Sequence, residues 1–264
     1  MPRRFAPLLA LFAIVAIAAC NAAPTPPPLT DPKEILTRTV LSLKDVKTID
    51  AKGDLSGTFA MQGSSIDLKG TTFEFASDVV GKKVKLSASI PSFLNTGAEA
   101  IVVDQTVYYK VTGPLAVSVG ADPSGKYKKI EGVASGTPSA APSASIDPLK
   151  AIDEFNTLLT KLPAPTKGAN EKIGDQDCYH ITMKATSDEL KSLAPSPGLG
   201  NVPGIDAVSG AVTVDIWSRV NDLRPAKIAF GIDAGAQGNL TLTFNMTYDS
   251  GVSIAAPPAD QIAP

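Results

Sequence analysis

A chain of 264 residues that sets 24 Lys and Arg against 26 Asp and Glu, for a net charge of -2, has no electrostatic footprint for nucleic acid, and that class of partner is excluded. Its 21 Gly and 22 Pro argue for many short strands joined by turns over a helical bundle. Two cysteines and one histidine supply no His-rich or paired-Cys metal set, and no Gly-rich phosphate loop follows a strand, so neither catalysis nor a cofactor is expected.

The chain opens with Arg3 and Arg4, then an apolar run from Leu8 to Ile17 that is too short to span a bilayer comfortably and fits a signal-peptide h-region. The run ends in Ile17-Ala18-Ala19-Cys20, an aliphatic residue three before a cysteine with two small residues between. That ending resembles the lipobox of bacterial lipoproteins, in which the chain is cut before the cysteine and its thiol is diacylated. The expectation is a leader over residues 1–19 and a lipidated Cys20, holding the chain to the extracytoplasmic side of the cell membrane. An ordinary secretory cleavage site and an uncleaved anchor are the alternatives. Residues 20–30 include Pro24, Pro26, Pro27 and Pro28 and predict an extended tether. At about 3.1 Å per residue it reaches roughly 30 Å.

Asp31-Pro32-Lys33-Glu34 combines an N-cap, a first-turn proline and the return arm of a capping box. With Ile35, Leu36, Val40 and Leu43 on one face it predicts an amphipathic helix over Asp31–Lys44. From Thr48 the period changes to two, Ile49, Ala51, Leu55, Phe59 and Met61 alternating with polar residues. A parity slip at Gly70-Thr71-Thr72, between Ile66 and Leu68 on one side and Phe73 and Phe75 on the other, predicts a bulge or bend. Val84, Leu86, Ala88 and Ile90 make another strand, with Phe93 and Leu94 in the loop after Pro91. Ile101 to Val111 predicts a hairpin turning at Asp104-Gln105, with Val107, Tyr109 and Val111 on one face.

Low-complexity stretches near 132–146 and 195–210 predict mobile loops. Between them, Asp147-Pro148 starts a second amphipathic helix through Ile152, Phe155, Leu159 and Leu162. Glu171 to Ala185 predicts strand, and Thr186-Ser187-Asp188-Glu189 a capping box. Val212, Val214 and Ile216, then Ile228, Phe230 and Ile232, then Leu240, Leu242, Phe244, Met246 and Tyr248 keep strict alternation. Three consecutive strands each bury one face, and one long meander interrupted by two helices is the simplest topology.

Polar residues in these strands receive plain readings. Cys178 and His180 share a face with no third partner in view, so an inert thiol is expected. Asp50, Asp54, Asp67 and Asp215 lie opposite the apolar faces and read as solvated surface. Trp217, on the parity opposite Ile216, reads as an edge plug, with a membrane- or partner-facing role as the alternative.

The order of these elements resembles a known family. Lipobox and tether, first helix, strands, Val107-Tyr108-Tyr109-Lys110, second helix, the segment Lys172 to Thr182, Asp215-Ile216-Trp217, Arg224-Pro225-Ala226-Lys227-Ile228 and a closing Val252 to Pro257 are similar in order to the LppX/LprG/LprF lipoproteins, relatives of the LolA/LolB carriers. The resemblance covers nearly the whole chain after the leader. Its fold class is α+β, one domain over 31–264 built on a single strongly curved antiparallel sheet, a half-barrel with amphipathic helices covering the concave face. It implies an apolar cavity lined by Leu36 and Val40 of the first helix and by Ile152, Phe155 and Leu159 of the second. The first strands add Leu55, Phe59, Phe73, Phe75, Leu86, Ile90 and Tyr109, with Phe93 in its loop. The last strands add Val214, Ile228, Phe230, Leu242 and Phe244. Segments Pro114–Gly125, Gly132–Ser145 and Pro195–Gly210 depart from the family as insertions.

The function implied is a monomeric, non-enzymatic lipoprotein that binds lipids or lipoglycans and carries or chaperones them across the envelope, with an envelope transporter as partner. Beside it stands an envelope sensor or protein-interaction module on the same fold with a packed core.

Overall fold

Capping sets the first element. Asp31, in extended backbone, accepts from the Lys33 N–H at 2.9 Å, and α1 runs Pro32–Ser42 before a single 3-10 turn, Leu43–Asp45. The expected return arm is used differently, because the Glu34 carboxylate pairs with Arg38 one turn on, at 2.7 Å. The computed structural model describes residues 28–61, 64–92, 94–131, 153, 163–189 and 210–264. Asp31–Pro264 forms one compact unit.

Thirteen strands follow among the described residues. The first seven are β1 (Thr48–Met61), β2 (Ser64–Asp67), β3 (Thr71–Asp78), β4 (Lys83–Ile90), β5 (Thr96–Val103), β6 (Thr106–Thr112) and β7 (Lys128–Ile130). A four-residue helix, α2 (Leu115–Ser118), lies between β6 and β7. The others are β8 (Thr166–Lys167), β9 (Glu171–Ile173), β10 (Gln176–Thr186), β11 (Ala211–Arg219), β12 (Pro225–Asp233) and β13 (Gly238–Tyr248). Together they make one open antiparallel sheet in the order β7-β6-β5-β4-β3-β1-β13-β12-β11-β10-β8, with β2 on β1 and β9 on β10.

The single long meander is not what forms. Two meanders meet at a central seam where β1 pairs with β13 from Ile49↔Tyr248 to Phe59↔Gly238. A simple meander would leave β13, eleven residues of alternating apolar side chains, as an open edge. Pairing it with the equally regular β1 removes that edge and leaves only the short β7 and β8 outside.

The bulge expected near Gly70 is present. Between Thr58↔Asp67 and Leu55↔Thr71, residues 68–70 stand opposite 56–57. The Leu68 N–H donates to Gly57 O at 3.0 Å, and Gly57 holds φ at 115°, where only glycine is comfortable.

The second face of the sheet is drier than alternation alone predicts. Ile101, Val103 and Tyr108 point away from the predicted cavity side, yet are buried with Tyr127 and Ile254. The tail after β13 covers them. It ends in a parallel bridge of Ile262 to Tyr127, closed by Tyr127 N–H to Gln261 O and Ala263 N–H to Tyr127 O, both 2.8 Å. The Tyr127 hydroxyl donates to Glu99 and lies 3.2 Å from Lys110 Nζ. Burial, then the Glu99 carboxylate, push its phenol well above the usual range.

Of the second predicted helix only Asp153 is described; it is helical and lies 2.5 Å from Lys44 Nζ, just past the end of α1. Ile152, Phe155, Leu159, Phe93 and the predicted loops at 132–146 and 195–209 lie outside the described residues. The Thr186 capping box forms as expected, its N–H donating to Glu189 Oε2 at 2.8 Å and its hydroxyl accepting from Glu189 N–H at 3.3 Å.

Candidate functional site

Strand register gathers the predicted lining residues into rows that cross the sheet. The central row runs Ile181, Ile216, Ile228, Phe244, Gly53, Phe73, Ala88, Ala98 and Val111, from β10 to β6. On one side lies Met183, Val214, Phe230, Leu242 and Leu55; on the other Met246, Ala51, Phe75, Leu86, Ala100 and Tyr109. By parity Phe59 and Ile90 extend the same face toward the end of the sheet where β4 passes to β5. Every predicted lining residue on a described strand therefore shares one apolar face.

Gly53 explains how the centre of that face packs. A Cβ there would stand 2.7 Å from the Phe244 ring and 2.8 Å from Thr243 O, so the ring lies against bare backbone. Phe244 thus bridges the seam between β1 and β13.

The first helix covers one flank of the face. Leu36, 3% exposed, packs on Met183 and Ile216 with Val214 and Ile228 around it, and Val40 is equally buried. A polar clamp that alternation does not mark fixes the helix in place: Thr39 donates to Ile35 O at 2.7 Å, which leaves its oxygen to accept from the buried Ser218 hydroxyl, also at 2.7 Å. Ser42 donates to Thr39 O and reaches Leu223 O at 3.3 Å. Toward β6 the face is more open. Phe73, Phe75, Ile90 and Tyr109 are half-buried, and Leu86 is 45% exposed.

On the opposite face the structure overturns three plain readings at once. Trp217 is 8% exposed rather than outward-facing, and its ring stacks on His180 at 4.5 Å and 7°. Lys227, its cross-strand neighbour on β12, holds Nζ 4.4 Å from the ring centroid. Glu171 of β9 accepts from Trp217 Nε1 at 2.9 Å with one oxygen and sits 3.0 Å from His180 Nδ1 with the other. His180 thus has carboxylates at both nitrogens, because Asp215 Oδ1 lies 2.8 Å from Nε2 and also accepts from Thr182 at 2.6 Å. Asp215 is part of a network, not bare solvated surface. Parity placed these residues on one side; the missing signal was the register that sets His180 opposite Trp217.

Cys178 behaves as expected of an inert thiol. It is fully buried against Trp217 and Ala226, and burial pushes its thiol up. The Thr182 hydroxyl also lies 3.4 Å from His180 Nε2, and the network reads as a brace for the β8–β10 edge.

No family model and no curated protein matches the chain. Among solved structures it is similar to LprF from Mycobacterium bovis, at 14% identity over 87% of this chain and 98% of that one, with a TM-score of 0.49. It is also similar to the Mycobacterium tuberculosis lipoprotein LppX, at 10% identity over 85% and 98% with a TM-score of 0.47. A LolA superfamily protein from Nitrosomonas europaea aligns at 10% identity over 88% and 97%, with a TM-score of 0.26. Two of these solved structures, LprF and LppX, are of the lipoproteins that the order of elements led us to expect the chain to resemble.

Proposed function

We propose that this protein is a lipid-anchored envelope lipoprotein that takes acyl chains of lipids or lipoglycans onto the apolar face of its sheet and carries or chaperones them between membranes. The observation that supports this reading is the unbroken apolar surface across β10 to β6, covered by α1 at one flank and still half-exposed at the other, where Leu86 is 45% exposed. Each methylene moved from water onto such a surface contributes about 0.8 kcal/mol, so long chains bind without polar contacts. Release then needs an acceptor, a membrane or an envelope transporter. The protein works as a non-enzymatic monomer.

Native mass spectrometry of residues 20–264 carrying Cys20→Ser tests the reading. Adducts at lipid masses that disappear on organic extraction are expected, and a lipid-free chain in every preparation would refute it. The anchor is tested separately by feeding labelled palmitate to cells making the full chain. Label should enter the protein and be absent from the Cys20→Ala variant; equal labelling of both would place the acyl chain elsewhere.

A further inference from the structure

One end of the sheet, where β4 passes to β5 and β6 to α2, gathers exposed large apolar side chains. Leu94 is 65% exposed, Val117 73% and Val119 55%. Their loops touch, since a Cβ on Gly113 would lie 3.2 Å from Thr96 Cα and 3.4 Å from Leu94 O. Leu94 and Asn95 both hold left-handed backbone, with φ of 56° and 53°, a region disfavoured for leucine. The Asn95 N–H bonds Pro91 O at 3.2 Å and closes this loop with Leu94 outside. In α2 the buried residue is Ala116, which leaves Val117 outward.

Cations stand behind these tips. Lys128 Nζ donates to Gly120 O at 2.6 Å, next to Val119, and Lys69 occupies the adjoining turn, where Gly70 approaches Pro91. Asp122, the acid of the same loop, is engaged by Ser124 through its N–H and hydroxyl. Apolar tips backed by lysines suit a bilayer boundary, with acyl chains first and phosphates above.

The direction of α1 singles out the same end. Its last turn meets Leu223, at the far end of the sheet; Thr39 meets Ser218, and Leu36 meets Met183 and Ile216. The helix therefore starts, at Asp31, toward the end that carries the Leu94 and Val117 loops.

We propose that this end is a membrane-contact face. Leu94, Val117 and Val119 seat in the outer acyl layer of the bilayer that holds the anchor, Lys69 and Lys128 meet lipid phosphates, and the apolar face of the sheet opens toward that bilayer through Ile90 and Phe59. The inference rests on the lipoprotein reading only for which membrane is touched.

The test uses residues 20–264 with Cys20→Ser, which retain the compact unit Asp31–Pro264. An environment-sensitive fluorophore is attached at V117C, V119C or, at the opposite end, D175C; the buried Cys178 stays unlabelled. With vesicles of equal parts phosphatidylcholine and phosphatidylglycerol, emission at 117 and 119 should shift to the blue and be quenched by brominated acyl chains, while 175 stays unchanged. Replacing Leu94, Val117 and Val119 together by serine should weaken vesicle binding at least tenfold. Silent labels at 117 and 119, an equal response at 175, or unchanged binding by the triple variant overturns the inference. A chain that docks through these loops but never co-purifies lipid sustains it while refuting the carrier reading.

Discussion

Trp217→Ala is expected to lower the free energy of unfolding by about 3–5 kcal/mol, read as a drop in the urea midpoint. The indole sits between His180 on β10 and Lys227 on β12, so its loss opens a cavity at the register that joins three strands. It also strands one oxygen of Glu171, which then holds β9 only through His180. Trp217→Phe keeps an aromatic ring at the site but removes the N–H and part of the buried indole volume, and a smaller cost of about 1–3 kcal/mol is expected. Hydrogen exchange should quicken at β8 and β9 in the alanine variant before the central β1 and β13 respond. A Trp217→Ala loss below about 1 kcal/mol would mean that the network is a surface ornament and that the edge is held elsewhere.

Periodicity carries no signal for this brace. Alternation in β1, β11, β12 and β13 states which side of a strand is apolar, and every predicted lining residue on a described strand does lie on that side. Alternation says nothing about which strand lies beside which. The β1–β13 seam joins segments nearly two hundred residues apart, and only burial of two long apolar strands selects it. Glu171 reaches His180 across a hairpin turn, and Asp215 arrives from the next strand; neither contact has a local pattern. The covered second face, by contrast, left a local trace that alternation passes over. Ile101-Val102-Val103 is apolar on both parities, as expected of a strand buried on both sides, and the tail bearing Ile254 supplies the cover. Capping chemistry was readable because it is short-range: Asp31 and the Thr186–Glu189 pair both close as their spacing requires.

Leu86→Glu is expected to leave the fold within about 1 kcal/mol of wild type while reducing co-purified lipid tenfold or more. The two outcomes separate because of where Leu86 stands. On β4 it lies between Phe75 and Ala100 in a row of the apolar face, but at 45% exposure its replacement carboxylate stays hydrated while no ligand is present. An acyl chain laid across the same row must strip that water, and a carboxylate facing methylenes without a partner loses several kcal/mol. At about 1.4 kcal/mol per factor of ten, this exceeds a tenfold loss of occupancy. Leu86→Met, which keeps the surface apolar, should retain full loading. The same charge at position 244 would be uninformative, since Phe244 packs against the Gly53 backbone at the seam and its loss would disturb the fold itself. Urea midpoints and native mass spectra on the same samples read both quantities. Wild-type stability with wild-type lipid would move the ligand off the β3–β6 part of the face, whereas unfolding of Leu86→Glu would make this region packed core and favour a module that works through its outer surface.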